Sequence, residues 1–234
     1  MENKSFDVSI GRESAASESS FLAQVFFWMS MGLGLTGLVA GWMALNPSLI
    51  AAFVRNTGLL WTIFFVQLGI VFWLSSQVMR LNLMTATAGF SIYATLNGII
   101  FSSIFLIYTG ASIASTFLVT AGMFAAVSLY GFTTKRDLTS AGSFAFMALI
   151  GVIIGSLVNL FLKSAVFYWV MTYVGIGVFT ILTAYDVQKL KLIHQQGFES
   201  GEVIRKMALL GALTLYLDFI NMFLLLLRVM GRRK

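Results

Sequence analysis

The chain has 234 residues, of which 59% are apolar and only 10% are charged. A soluble domain usually carries about 25% charged residues, so this composition excludes an ordinary soluble protein and predicts an integral membrane protein. The absence of cysteine excludes disulfides and thiolate sites, and one histidine cannot form a multi-histidine metal site.

The net charge of +6 does not require nucleic acid as a partner. In a membrane protein it is explained by basic loops that face anionic lipids, so the lipid bilayer is the expected partner.

The predicted elements begin with a polar, Ser-rich segment, residues 1–18, which we expect to be a disordered tail. Residues 19–231 are predicted to form a seven-helix membrane domain, and residues 232–234 a basic C-terminal tail. The fold class is therefore all-α, a polytopic membrane protein, because backbone polar groups in lipid need partners within each span. The seven apolar runs cover about 21–45, 58–79, 84–108, 113–133, 141–162, 165–191 and 207–229.

The first run carries Gly34, Gly37 and Gly41 at helical spacing. Small residues in this arrangement allow another helix to approach closely.

Basic residues predict the orientation of the spans. With seven spans, the Lys and Arg residues divide nine to six in favour of the side that holds the N-terminus. The positive-inside rule therefore favours a cytoplasmic N-terminus. Six spans and a re-entrant segment, which would place both termini inside, remain the alternative.

Two acidic residues, Asp186 and Asp218, lie within apolar spans, on the last two predicted helices. Glu202 is midway between them, so a turn centred there would bring both carboxylates to the same depth. Counting residues from the start of each helix gives a different result, with Asp218 near the middle of the membrane and Asp186 closer to the loop. That the two carboxylates are adjacent is therefore a hypothesis. Acids within a membrane are costly and usually functional, although a polar pair that only ties two helices together is the alternative.

Adjacent carboxylates in a low-dielectric site would titrate as a unit, so the pair could sense pH. Their oxygens could also hold a hard cation, which makes Asp186 and Asp218 a candidate Ca²⁺ site. Thr183 and Thr214 lie one helical turn from Asp186 and Asp218, and Asn221 lies three residues after Asp218. These three polar groups could support the site.

Arg80 ends the second predicted span and could reach back to clamp one carboxylate. The alternative is an arginine whose side chain extends to the membrane interface, which is common.

Two motifs resemble the signatures of the Bax inhibitor-1 family, in the branch found in Gram-negative bacteria. They are Leu215-Tyr216-Leu217-Asp218-Phe219-Ile220-Asn221-Met222-Phe223 and Thr183-Ala184-Tyr185-Asp186-Val187-Gln188-Lys189-Leu190. The segments 111–117 and 130–138 point to the same branch, and the resemblance covers about 21–231.

This resemblance implies a seven-helix protein of the cell inner membrane with its last helix in the centre. It also implies a pH-sensitive Ca²⁺ leak governed by a dyad of Asp186 and Asp218, with Arg80 as a latch. One departure is that Gln67 and Gly69 stand where some members carry a glutamate.

Three functions follow as hypotheses. The first is a Ca²⁺ leak without enzyme activity or cofactor, in which Ca²⁺ is the permeant ion. The second is a regulatory protein of the stress or cell-death-suppressor type that acts on a partner membrane protein. The third is an intramembrane aspartyl protease. It is disfavoured because Leu215-Tyr216-Leu217-Asp218 stands where such proteases have Gly-x-Gly-Asp. Their Pro-Ala-Leu segment is also missing, since the only proline is Pro47.

Overall fold

The computed structural model describes residues 2–195 and 201–234. The helices in these ranges are α1 Glu2–Ala44, α2 Pro47–Arg55, α3 Thr57–Gln77, α4 Leu83–Phe101, α5 Ile104–Ile107, α6 Gly110–Thr133, α7 Thr139–Leu162, α8 Ala165–Gln195 and α9 Gly201–Met230. Seven spans are long and apolar enough to cross a membrane, with α4 and α5 forming one of them. The prediction of an all-α polytopic membrane protein is therefore confirmed.

The first helix is longer than the sequence predicts. It is continuous from Glu2 to Ala44, so residues 2–18 are helical rather than the predicted disordered tail. This segment contains no proline and a single glycine, so its backbone can continue the helix. The part that is apolar enough to cross a membrane begins only at Glu18, close to the predicted boundary.

The third span is broken near its end, where the sequence predicts a continuous helix. The hydroxyls of Ser102 and Ser103 donate to the carbonyls of Ile99 and Ile100, at 2.6 and 2.7 Å. Serine side chains that bond locally compete with the helical pattern, which explains the turn between α4 and α5.

Most other helix ends follow from local signals. Asn56 and Asn82 accept hydrogen bonds from the first turns of α3 and α4, from Leu59 N at 3.0 Å and Thr85 N at 2.7 Å. Lys163, with φ of 51°, ends α7 in the left-handed conformation.

The sequence predicts a polar hairpin over about 192–206 between the last two helices, and the structure extends both helices into this segment. α8 runs to Gln195 and α9 begins at Gly201. Residues 196–200, on which the predicted hairpin also falls, lie outside the described residues. α9 is the most buried span, at 67% against 39% or less for the others, as expected for a central helix.

The chain forms two compact units. The first contains the residues up to Ser103 together with Leu190–Leu213. Within it, the hydroxyl of Thr36 on α1 donates to the carbonyl of Ala94 on α4, at 2.9 Å. Gly98 lets the two helices approach, because a methyl group there would lie 2.8 Å from the Thr36 carbonyl oxygen.

The second unit contains Ile104–Lys189 and Thr214–Lys234, and therefore both intramembrane aspartates. Its apolar core is built by α7, α8 and α9. The core residues are Ala145, Val178, Phe179, Leu182, Met222 and Leu226. The basic C-terminal tail also belongs to this unit, and Arg233 forms an isolated antiparallel bridge with Tyr108.

Candidate functional site: a carboxyl pair between the last two helices

The register of α8 against α9 places the two aspartates near each other. A methyl group on Gly175 would lie 2.9 Å from Leu225 Cδ1, so these positions are level. In an antiparallel helix pair, Asp186 is then level with residue 214, and Asp218 with residue 182. The remaining offset of four residues is about 6 Å along the axis, which two side chains can bridge.

The structure places the carboxyl groups of Asp186 and Asp218 side by side, close enough for a hydrogen bond between the two side chains. Such a bond needs a proton on one partner, because an ionised carboxylate can only accept. Two ionised carboxylates at this distance would repel each other. This arrangement suits a pair that shares one proton.

The two carboxyls differ in burial. Asp218 is 5% exposed, whereas Asp186 is half-buried. Among the described residues, Asp218 Oδ2 has no hydrogen-bond partner. An unpartnered buried oxygen is costly, so this atom is suited to bind a proton, a water molecule or a cation.

Lys189 lies one helical turn after Asp186 and is close enough to act on it electrostatically. Its ammonium group is 5.8 Å from the centre of the Tyr185 ring. A positive charge thus lies beside the more exposed carboxyl, although Lys189 was not among the predicted site residues.

The predicted supporting groups make hydrogen bonds within their own helices. Thr183 Oγ1 donates to the Phe179 carbonyl at 2.8 Å, and Asn221 Nδ2 donates to the Leu217 carbonyl at 2.8 Å. Their oxygen atoms keep lone pairs that can accept a further bond. Thr214 is half-buried and, by the register above, level with Asp186.

Arg80, the predicted latch, lies in the turn after α3 and is exposed. It belongs to the first compact unit, whereas both aspartates belong to the second. The latch therefore stays a prediction.

The pair alone does not make a resident metal site. Ca²⁺ takes six to eight oxygen ligands, and two carboxyl groups supply four at most. In the described parts of the chain, no group of three or more His, Cys, Asp or Glu residues could hold a metal ion. A cation at this pair would therefore keep much of its water, as a passing ion does.

Sequence reasoning missed Gln188, which joins α8 to the loop between α6 and α7. Its Oε1 accepts from Leu138 N and its Nε2 donates to the Arg136 carbonyl, both at 2.8 Å. Gln188 is only two residues from Asp186, so this clamp fixes the loop at nearly the depth of the carboxyl pair, but on another side of α8. The one signal in the sequence was its place inside the 183–190 motif.

The clamped loop also carries an exposed acid, Asp137. Hydrogen bonds from the side chain and the backbone N–H of Thr139 hold the pKa of Asp137 below its usual range. Asp137 therefore stays ionised to lower pH than an ordinary surface aspartate, unlike a carboxyl that shares a proton.

Comparison with known proteins supports the motif assignment. A family model described as "Inhibitor of apoptosis-promoting Bax1" matches residues 18–234. The inner membrane protein YbhL of Escherichia coli K12 is 49% identical over 216 residues, which are 92% of each chain. An uncharacterized protein of Rickettsia prowazekii is 43% identical over 99% of this chain and 94% of its own length. An uncharacterized membrane protein of Streptococcus pyogenes is 36% identical over 92% of this chain and 93% of its own.

The higher identity to the Escherichia and Rickettsia proteins agrees with the Gram-negative branch that the motifs indicate. The family match, the name of the Escherichia relative and the seven spans lead to one conclusion: the chain belongs to the Bax inhibitor-1 family and is a multi-pass protein of the inner membrane.

Proposed function

We propose that this protein is a passive cation leak, with Ca²⁺ as the permeant ion, whose conduction is controlled by the protonation of Asp186 and Asp218. The observation that carries the proposal is the pair of carboxyl groups placed side by side, in which one oxygen of Asp218 is buried and, among the described residues, has no protein partner. Ionisable groups inside a membrane usually mark an ion or proton pathway.

The pair can act as a switch because its two protonation states differ in charge and in bonding. With one shared proton, a hydrogen bond ties α8 to α9. Without that proton, two negative charges face each other in a low-dielectric site, where they must separate, take up water or bind a cation. Lys189 partly offsets the charge of Asp186, so Asp218, which is more deeply buried, is the more sensitive partner.

The choice of ion follows from the chemistry of the ligands. Carboxylate oxygens suit hard cations such as Ca²⁺, and a flexible, partly hydrated coordination shell is typical of Ca²⁺. Mg²⁺ gives up its water reluctantly, so it should pass more slowly. We propose no catalytic step for the pair.

Flux through purified protein in liposomes tests the proposal. We expect Ca²⁺ release from vesicles that contain the wild-type protein, with a rate that changes between mildly acidic and mildly alkaline pH. Asp218→Asn keeps the shape of the side chain but removes one of the two titrating carboxyls, so the pH dependence of its rate should weaken; in the Asp186→Asn, Asp218→Asn double variant it should disappear.

Asp137→Asn is the matched control, since Asp137 is an exposed carboxyl outside the pair, and its pH response should equal that of the wild type. Flux that is absent at every pH, or a pH response that survives both Asp186→Asn and Asp218→Asn, would refute the proposal.

A second candidate is a regulatory role through a partner membrane protein. A methyl group added to Gly34, Gly37 or Gly41 would meet nothing within 4 Å, so this face of α1 has room for another helix. Gly37→Leu should then abolish co-purification of a stoichiometric membrane partner without changing Ca²⁺ flux. Co-purification that is unaffected by Gly37→Leu would count against this role.

A further inference from the structure

A row of hydroxyl groups runs along α6. The residues of α6 that are buried follow one another at about four-residue intervals, so they form one continuous ridge that winds gradually around the helix. They are Ser112, Thr116, Thr120, Phe124, Ser128 and Gly131. A helix face buried in lipid-embedded protein is usually apolar or made of small residues, so a row of four hydroxyls points to a particular role.

Two of the four hydroxyls lack protein partners. Thr116 is 0% and Ser128 is 5% exposed, and in the described parts of the chain neither Oγ atom has a hydrogen-bond partner. Serine and threonine in a helix commonly bond to the carbonyl one turn earlier, as Thr120 does to Thr116 at 2.8 Å. A buried hydroxyl without a partner destabilises the fold, and water is its usual partner inside proteins.

The row has two ends. At one end, the backbone N–H of Arg232 in the C-terminal tail donates to Ser112 Oγ, at 2.8 Å. At the other, Ser128 lies one turn before Gly131, whose backbone packs against the carbonyl of Ala184. Ala184 is two residues from Asp186 on α8, so the row ends within about 3 Å of the depth of Asp186 along the helix axis.

The row is long enough to matter for transport. From Ser112 to Ser128 it rises about 24 Å, at about 1.5 Å per residue, and the hydrocarbon core of a bilayer is about 30 Å thick. The hydroxyls therefore span most of the distance that an ion must cross.

An aromatic pair interrupts the row. Phe124 is 5% exposed and stands between Thr120 and Ser128. Its ring packs edge-on against Phe219, with centres 5.5 Å apart, and Phe219 follows Asp218 directly. A movement of α9 at Asp218 would therefore also displace the Phe124 ring.

We propose that the hydroxyl row of α6, comprising Ser112, Thr116, Thr120 and Ser128, is a hydrated path along which water and small cations reach the carboxyl pair. Phe124 is its constriction. The proposal deepens the proposed leak by naming the route, and it rests on that function only for the identity of the ion.

The absence of cysteine allows a test that does not depend on flux. Thr116→Cys and Ser128→Cys, in membranes at mildly acidic and mildly alkaline pH, are exposed to a cationic methanethiosulfonate reagent. Leu118→Cys and Leu129→Cys are controls of nearly the same depth, because these leucines are 71% and 62% exposed on the outside of the same helix. We expect the row positions to react about tenfold faster or more, since only a hydrated thiol ionises to the reactive thiolate.

Flux measurements on Thr116→Val complete the test. Valine keeps the shape of threonine but removes the hydroxyl, so Ca²⁺ flux should fall severalfold while its pH response remains. Thr62→Val, at an exposed position whose hydroxyl bonds to the Gly58 carbonyl, should leave flux unchanged.

The outcomes separate the two proposals. Row cysteines that react no faster than the controls, in a protein that leaks Ca²⁺, would overturn the path and leave the leak intact. Row cysteines that react in a protein without any Ca²⁺ flux would support the path and overturn the leak. A Thr116→Val flux equal to the wild-type flux would also overturn the path.

Discussion

Single glycines make the close approaches around the carboxyl pair. Gly131 on α6 packs against the carbonyl of Ala184, and Gly142 on α7 packs against the ring of Tyr185. Ala184 and Tyr185 directly precede Asp186 on α8. The position of Asp186 is therefore set by two helices that could not come so close with larger residues.

Gly142→Ala should destabilise the protein, by about 1–3 kcal/mol, because the new methyl group overlaps the Tyr185 ring in a packed interior. Gly151→Ala on the same helix is the control, since a methyl group there meets nothing within 4 Å. It should be neutral or stabilise the helix by about 0.5–1 kcal/mol. Thermal unfolding in detergent measures both, and equal midpoints for the two variants would show that Tyr185 can move away freely.

At this scale the sequence reveals the carboxyls but not their geometry. Asp186 and Asp218 stand out because acids are rare in apolar runs. Their contact could not be derived, because the depth of each depends on where the connection between α8 and α9 turns. The role of Gln188 could not be predicted, because a polar residue among other polar residues gives no periodic signal. Its role becomes visible only when the loop between α6 and α7 is placed beside it.

Among the elements, the loop between α6 and α7 is held by one side chain of α8. Gln188 is 9% exposed and satisfies both the N–H of Leu138 and the carbonyl of Arg136. The loop sequence Thr134–Leu138 thereby has a fixed place against α8 at Gln188.

Gln188→Met should release this loop, because it removes both hydrogen bonds and leaves two backbone groups without their partner. The expected cost is about 1–3 kcal/mol, together with faster hydrogen exchange at the Leu138 amide. Gln195→Met is the control: Gln195 is exposed and bonds to Glu18, so its loss should change stability by less than about 0.5 kcal/mol. Unchanged protection of the Leu138 amide in Gln188→Met would refute the clamp.

The seven spans were predictable because apolar runs of this length are rare outside membranes. The ends and interruptions of these spans were less predictable. The break at Ser102 and Ser103 depends on local hydroxyl bonds that hydropathy does not register. The extension of α1 back to Glu2 and of α9 to Gly201 occurs because helices continue through polar residues that composition alone assigns to tails and loops.

At the scale of the whole molecule, the two possible topologies differ in the side of the membrane on which the C-terminus lies. An odd number of spans places the termini on opposite faces, whereas a re-entrant last segment would place them on the same face. The C-terminal tail discriminates between these. Arg232 O accepts from Thr109 N at 3.1 Å, and Lys234 N donates to the Ile107 carbonyl at 2.9 Å.

These bonds hold the tail beside the link between α5 and α6, which follows the third span. With a cytoplasmic N-terminus, that link lies outside, so the tail lies outside as well. A re-entrant last segment would put the tail on the cytoplasmic face, where these bonds could not form. The bonds therefore favour a last segment that crosses the membrane.

A reporter that is active only in the cytoplasm should accordingly be inactive when it is fused to Lys234, and also when it is fused after Tyr108. Fused after Asp137, in the loop that carries Lys135 and Arg136, it should be active, which controls for expression and insertion. The positive-inside rule acts through the loop charges, so replacing Lys135 and Arg136 by neutral residues should lower the activity of that third fusion. Strong activity at Lys234 would mean that the last segment does not cross the membrane, and it would also contradict the pairing of the tail with residues 107–109.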